Sequence, residues 1–245
     1  MSKHDEVLNR ISELHAANDE MRRNHPLTLM VRGGELTMDQ LRELIRQRGI
    51  VPLYNHLYHG RLYVVCPDPE WRELMAEVCY EEGTGRLFAD GQAHWKLYLR
   101  LGQALGISRE AMYGTEYVAG ALAWKAWYEY ICGKSFLEGV SAHMLAGEAK
   151  VPAAAKRMSD LLRTRYGLSD DDVMFYTVHI SADEEHSDIG RRLLDKFAKS
   201  DAECELVVRT VKDTLGIEDL LQDDLYRHLK SMGSSSVAVR QLARA

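Results

Sequence analysis

The sequence predicts an all-α protein, a single-domain bundle of about seven helices. Three observations predict it: apolar residues recur at helical spacing along most of the chain, strand-like alternation is scarce, and only five prolines interrupt 245 residues. Hydrophobic residues make up 46 % of the chain, enough to bury a full core. The formal net charge is −6 and the isoelectric point about 5.9, with basic residues scattered, so nucleic acid is not an expected partner. The four cysteines, Cys66, Cys79, Cys132 and Cys204, show no CxxC or disulfide spacing and fit a reducing, cytoplasmic setting. Residues Met1 to Glu6 hold no apolar leader core, and no apolar run is long enough to span a membrane. One domain is expected over residues 1–232, with 233–245 a flexible tail carrying Ser234-Ser235-Ser236.

The elements follow in order. Residues 4 to 23 place Val7, Ile11, Leu14 and Met21 on one side of a first helix, and Asn24-His25-Pro26 breaks it. Leu27 to Val31 makes a short helical turn before Gly33-Gly34. Thr37 caps a long helix running through Leu41, Ile45, Leu53 and Leu57 towards Val65, kinked at Pro52. Near the kink, Tyr54-Asn55-His56-Leu57-Tyr58-His59 reads as a helix face touching solvent, with a pocket-lining role as the sharper alternative. Pro67-Asp68-Pro69 is a hinge before the helix Glu70 to Glu82, which Gly83-Thr84-Gly85 stops. Asp90 or Gly91 starts a helix carrying His94, Leu97, Leu101 and Leu105; a lone His on that stripe is more often a hydrogen-bonded core residue than a ligand. Ser108 to Met112 is a short helix, and residues 115–132 form an aromatic one with Trp124, Trp127, Tyr128 and Tyr130 as packing. Ser135 caps a helix from Phe136 to Tyr166 in which Pro152 should bend the axis beside Glu148, because its ring clashes with that carbonyl and removes its donor. The last helical stretch, Ser200 to Lys230, is expected to break near Gly216.

The chemistry concentrates between Ser169 and Phe197. Ser169 and three following aspartates suit the start of a helix, and Val173, Tyr176, Ile180, Ile189, Leu193 and Phe197 suit its inner face. On such a helix His179, Asp183 and His186 share one side, separated by about 6 Å and then about 4.5 Å along the axis. A buried carboxylate needs a partner, and imidazole with carboxylate suits iron, manganese or zinc. A hydrogen-bonded His/Asp cluster is the alternative at this point. The inward polar groups of the whole chain are Glu81, His94, Glu148, His179, Asp183 and His186. Three carboxylates and three imidazoles without thiolate exceed what a structural zinc needs and suit two irons. Only one of the neighbours Glu81 and Glu82 is expected to face inward, and the Gly-x-Gly register favours Glu81.

Four stretches carry a resemblance. They are Tyr80-Glu81-Glu82-Gly83-Thr84-Gly85; His94-Trp95-Lys96-Leu97-Tyr98 with Leu105-Gly106; Gly147-Glu148-Ala149-Lys150-Val151-Pro152 with Tyr166-Gly167; and His179 to Gly190. In order and type they resemble the heme-oxygenase-like di-iron oxidases and oxygenases, relatives of the TenA and PqqC proteins. The resemblance covers about residues 20 to 230 and implies a heme-oxygenase-like fold. It implies that Glu81, His94, Glu148, His179, Asp183 and His186 bind two Fe ions, ferrous before O2, the co-substrate, is activated. It further implies oxidation of a small amino-acid-derived or fatty-acid-like substrate in specialised biosynthesis, by N-oxygenation, C–C cleavage or desaturation. A homodimer and an external electron donor are the expected partners besides the substrate. One branch of the family consumes its own tyrosine and lysine; no such pair is matched here. The alternatives are a metal-free PqqC- or TenA-like enzyme on the same fold, for which Cys132 lacks a nucleophile's setting, and a non-catalytic helical interaction protein.

Overall fold

The structure, a computed structural model, describes residues 2–180 and 183–233; for Lys150 and residues 183–188 it describes the backbone alone. Helices α1 (Lys3–Arg23), α2 (Pro26–Gly33), α3 (Met38–Arg48), α4 (Asn55–Val65), α5 (Pro69–Thr84), α6 (His94–Ala104), α7 (Arg109–Tyr113), α8 (Ala119–Lys134) and α9 (Phe136–Val140) lead into a π-helical segment, Ser141–Gly147, and a 3₁₀ turn, Glu148–Lys150. Helices α10 (Val151–Tyr166), α11 (Met174–Thr177), α12 (Asp183–Phe197) and α13 (Asp201–Ser231) complete the chain. No strand occurs among the described residues, so the all-α expectation holds. No described helix is long and apolar enough to cross a membrane. The expected tail lies, apart from Gly233, outside the described residues.

Helix starts follow local chemistry. Reciprocal capping boxes pair Ser2 with Asp5, Thr37 with Gln40 and Ser200 with Glu203, so α1, α3 and α13 begin where the sequence places them. Asp68 caps α5 through the Trp71 amide, with Pro69 in its first turn. The pillar of the bundle is α13, about 46 Å long at 1.5 Å per residue. It packs on α8, the π segment and α1, and also meets α2, α3 and α9. Leu41, Leu44, Ile45, Leu62, Leu101, Val140, Leu162, Leu193, Val211 and Leu225 are wholly buried in the shared core. At Gly120 of α8 a Cβ would stand 2.6 Å from the Leu220 carbonyl oxygen of α13, so the absent side chain lets the two backbones touch.

Three expected long helices are subdivided, so the helices outnumber the seven predicted. The stretch from Thr37 to Val65 divides into α3 and α4 with turns between them. Pro52 donates no amide and disfavours helical backbone at Val51, so it ends the helix instead of bending it. The stretch from Ser169 to Phe197 is likewise not one helix: turns at Val178 to Ile180 separate α11 from α12. There the Thr177 hydroxyl donates to the Met174 carbonyl at 3.2 Å and the His179 ring to the Phe175 carbonyl at 2.6 Å. The His179 ring thus takes the Phe175 carbonyl that the His179 amide would use in a continuing helix, and that amide turns to the Tyr176 carbonyl instead. The chain from Phe136 to Tyr166 keeps going, but its axis is deformed beside Glu148 as expected, by a π turn followed by a 3₁₀ turn. Conversely, α13 does not break at Gly216: the buried Val211, Leu215, Leu221 and Leu225 hold it through a glycine that costs about 1 kcal/mol. Finally, α6 starts at His94, because Asp90 and Gly91 both have positive φ, 50° and 74°.

Candidate metal centre

Two groups of histidine and glutamate meet inside the bundle. In the first, His59 of α4, His143 of the π segment and Glu148 of the 3₁₀ turn each offer an atom within 4.8 Å of the others. Glu148 follows His143 by five positions. In an α-helix that spacing turns the side chains about 140° apart, whereas a π turn, bonded i to i+5, brings them close to one side. Pro152 lacks the amide that an α-helix would give the Glu148 carbonyl, which instead accepts from the Val151 amide in the 3₁₀ turn that follows the π segment. His59 Nε2 and His143 Nδ1 each lie 3.2 Å from the same oxygen, Glu148 Oε1. Neither contact has the direction of a hydrogen bond, and both nitrogens are buried without another acceptor or donor. His143 Nε2 is 2.8 Å from Asn55 Oδ1. An amide oxygen only accepts, so Nε2 carries the proton and the Nδ1 lone pair faces the group.

The second group is Glu82 of α5, His94 at the start of α6 and His179 in the turn after α11, again within 4.8 Å of one another. His94 Nδ1 stands 3.1 Å from Glu82 Oε1 and its Nε2 3.3 Å from Glu81 Oε1, so the ring bridges two carboxylates. Its ring centroid is 4.8 Å from that of His179. The Phe175 carbonyl holds the proton on His179 Nδ1, which leaves Nε2 as a lone pair for the group. Gly85 makes the arrangement. Its φ is +65°, and a Cβ there would fall 2.0 Å from the Gln92 carbonyl oxygen, so only glycine lets the loop fold back and set His94 against the end of α5.

Electrostatics tie the groups together. Burial alone would raise the Glu82 carboxyl, but His94, then His59 and His179, outweigh it and hold it down to about 2. Burial likewise opposes ionisation of Glu148, yet His143 and His59 hold it well below the usual carboxylate range. Burial lowers His143 and His179, each helped by the neighbouring His59 or His94. His59 and His94 suffer the same burial, but their carboxylate partners outweigh it and raise them.

Of the six residues predicted from the sequence, His94 and His179 meet in one group and Glu148 belongs to the other. Glu81 is buried beside His94, but its other oxygen accepts the Leu87 amide at 2.7 Å, and the atom offered to the second group comes from Glu82. The expectation that only one of these neighbours turns inward fails: both are buried, because the loop after Gly85 covers the exposed side of the helix end. The side chains of Asp183 and His186 lie outside the described residues. The sequence reading assigned neither His59 nor His143 as a ligand. For the stretch holding His59 it favoured a solvent-touching face over a pocket-lining role; the residue is wholly buried, so the alternative fits, and the density of polar aromatic neighbours is its signal. His143 is off the α-helical stripe of Glu148 and joins it only through the π turn. Four imidazoles and two carboxylates without thiolate suit iron, and buried nitrogens with no partner need a cation or a proton donor to satisfy them.

An all-helical interior furnished in this way suits an iron protein of the redox type, and comparison with known proteins gives the class. The chain belongs to a family of iron-containing redox enzymes, whose model matches residues 42–218. It is 28 % identical over 185 residues to a 4-aminobenzoate synthase of Chlamydia muridarum (strain MoPn / Nigg), covering 73 % of this chain and 74 % of that protein. Similarity to the enzyme of the same name from Chlamydia trachomatis serovar D is 28 % over 176 residues, covering 69 % and 72 %. A CADD-like protein of unknown function from Nostoc punctiforme shares the fold at a TM-score of 0.75 and 14 % identity, over 93 % of this chain and 98 % of that one. A TenA homolog from Pseudomonas syringae pv. tomato shares it at 0.73 and 12 %, over 91 % and 92 %. Heme oxygenase-1 from Synechocystis, crystallised with heme, shares it at 0.61 and 13 %, over 92 % and 95 %. The fold is therefore heme-oxygenase-like, as the sequence resemblance implied.

Proposed function

We propose that this protein is a non-heme di-iron oxidase or oxygenase that uses O2 to oxidise a small organic substrate, amino-acid-derived or fatty-acid-like. The observation that supports it best is the pair of His/Glu groups whose ring protons are held on the outward nitrogens of His143 and His179. Glu82, His94 and His179 would hold one iron, and His59, His143 and Glu148 the other, with Glu81, Asp183 and His186 as the further ligands the resemblance implies. Two ferrous ions bound there would supply the electrons and open positions that O2 reduction requires.

The chain's own contribution is placement. Glu82 and Glu148 stay ionised at neutral pH, so neither must lose a proton to bind a cation. Asn55 and the Phe175 carbonyl fix ring orientation as well as proton position. Tyr58 and Tyr128, both buried, pack against the His143 ring at centroid distances of 6.3 Å and 5.3 Å and shield it from water. A thiaminase-like cysteine mechanism has little support here: Cys132 is buried, and burial pushes its thiol far up.

Anaerobic titration with ferrous iron, followed by exposure to O2, tests the reading. Two irons per chain and an O2-dependent absorbance change are expected. His179→Ala should lose one iron and all O2 consumption. Wild-type-like turnover in that variant, or a wild type that binds no iron, would reject the proposal.

A further inference from the structure

Two aromatic rings of α8 form a line that leads away from the first metal group. The Tyr128 ring meets the His143 ring edge-on, with centroids 5.3 Å apart and planes at 88°. Trp124, one turn earlier on α8, packs against Tyr128 at 4.5 Å. Tyr128 is 2 % exposed and Trp124 5 %, so the line runs from a buried imidazole to an indole whose edge just reaches the surface. The seat of the phenol is made for it. A Cβ on Gly147, the residue before Glu148, would stand 2.6 Å from the Tyr128 hydroxyl oxygen, so the glycine lets that hydroxyl lie against the π segment.

Packing alone does not explain these residue types. The Trp124 Nε1 is buried without a hydrogen-bond partner, and the Tyr128 hydroxyl donates only to the Ala142 carbonyl, at a long 3.3 Å. A phenylalanine at either place would fill space without the cost of a poorly served polar atom. Indole and phenol differ from a phenyl ring in another way: each gives up one electron far more readily. Rings in edge or tilted contact also let an electron pass between them by tunnelling. At the second group the ring against His179 is Phe175, 4.8 Å away, which lacks that capacity. Proton chemistry sets where the oxidised state would rest. A backbone carbonyl accepts a hydrogen bond but does not take up the proton, so Tyr128 gains no stability by deprotonation and acts as a bridge. Trp124 is the more readily oxidised ring and would keep its Nε1 proton, having nothing to give it to.

We infer that Tyr128 and Trp124 form an electron path that feeds the iron groups when O2 is reduced with no substrate bound, sparing His143 and Glu148 from oxidation. This rests on the reading under Proposed function, because O2 acting through iron is the oxidant. The electrons balance. Reducing O2 to two waters takes four electrons and four protons; two ferrous ions supply two electrons and a substrate normally supplies the others. Without substrate, Trp124 gives one electron through Tyr128 and becomes a one-electron-oxidised indole cation. A soluble one-electron donor such as ascorbate refills it, and Trp124 gives the second. Solvent supplies the protons.

The test mixes the ferrous-loaded full chain with O2 in the absence of substrate and of ascorbate, freezes it, and reads electron paramagnetic resonance. An organic radical signal is expected, and it should narrow when the protein carries ring-deuterated tryptophan. Peptide mass spectra of the same samples should place added oxygen on Trp124. Tyr128→Phe and Trp124→Phe should each lose most of the tryptophan signal and gain added oxygen on the peptide holding His143 and Glu148, whereas Trp127→Phe should leave the signal as it is. Ascorbate should erase the radical in the wild type. The labelled wild type needs no substitution, so a poorly folded variant does not decide the outcome. The inference is overturned if the wild type binds iron and consumes O2 without a tryptophan radical, if the added oxygen falls on Trp95 or Trp127 instead, or if a folded, iron-loaded Tyr128→Phe keeps the full signal. Those results leave the di-iron reading intact. A wild type that takes up no iron or no O2 removes both.

Discussion

Asn55 and His143 show how one hydrogen bond can decide what a side chain holds. The amide oxygen keeps the ring proton on Nε2, and the lone pair that remains points at Glu148. Asn55→Leu removes the acceptor with little change in volume. We expect iron affinity at the first group to fall about 10- to 100-fold, the usual cost of losing such an orienting contact, while the circular dichroism spectrum stays unchanged. Calorimetric titration with ferrous iron checks this, and an unaltered affinity would mean the proton position is immaterial. At this scale the sequence spoke unevenly. His94, Glu148 and His179 stand out because a polar residue on an apolar stripe is visible in one dimension. Glu82 was hidden by Glu81, since choosing between adjacent carboxylates depends on a loop that covers both. His59 sat in a cluster whose burial depends on neighbouring helices, so its role could not be read from its own helix.

Elements set the distances that residues exploit. Gly85 lets the loop reverse onto α5, and Gly85→Ala would place a Cβ 2.0 Å from the Gln92 carbonyl oxygen at a φ of +65°. The variant should lose stability by about 1–3 kcal/mol from backbone strain and retain less iron, because His94 moves away from Glu82. Denaturant melts and iron stoichiometry on one preparation would show both effects. Pro152 works in the opposite sense. Pro152→Ala offers the Glu148 carbonyl an α-helical donor in place of the Val151 amide and invites the π and 3₁₀ turns to relax towards α-helix. Stability should hold or rise, while iron affinity falls as His143 and Glu148 rotate apart. A variant both more stable and fully iron-loaded would disprove the link between this helix distortion and the site. The proline's presence beside Glu148 made a distortion legible; the π form it took was not, because Pro forbids one hydrogen bond without choosing its replacement.

For the whole molecule, the metal groups join α4, α5, α6, the π segment and the α11–α12 turn, elements far apart in the chain. Any cation they hold binds the folded state alone. Ferrous iron at 100 times its dissociation constant should therefore stabilise the fold by about 2.7 kcal/mol per site, and a chelator should reverse it. An anaerobic thermal melt with no iron-dependent shift would count against the centre. The sequence by itself determined an all-helical chain, where most helices start, and which stretches carry ionisable groups inward, because caps, glycines and hydrophobic periodicity act within a few residues. Only the tertiary structure decided that His59 and His143 join Glu148 and that Glu82 turns inward beside Glu81. Those outcomes depend on which faces of separate helices meet, and a face gains its neighbours only when the whole bundle closes.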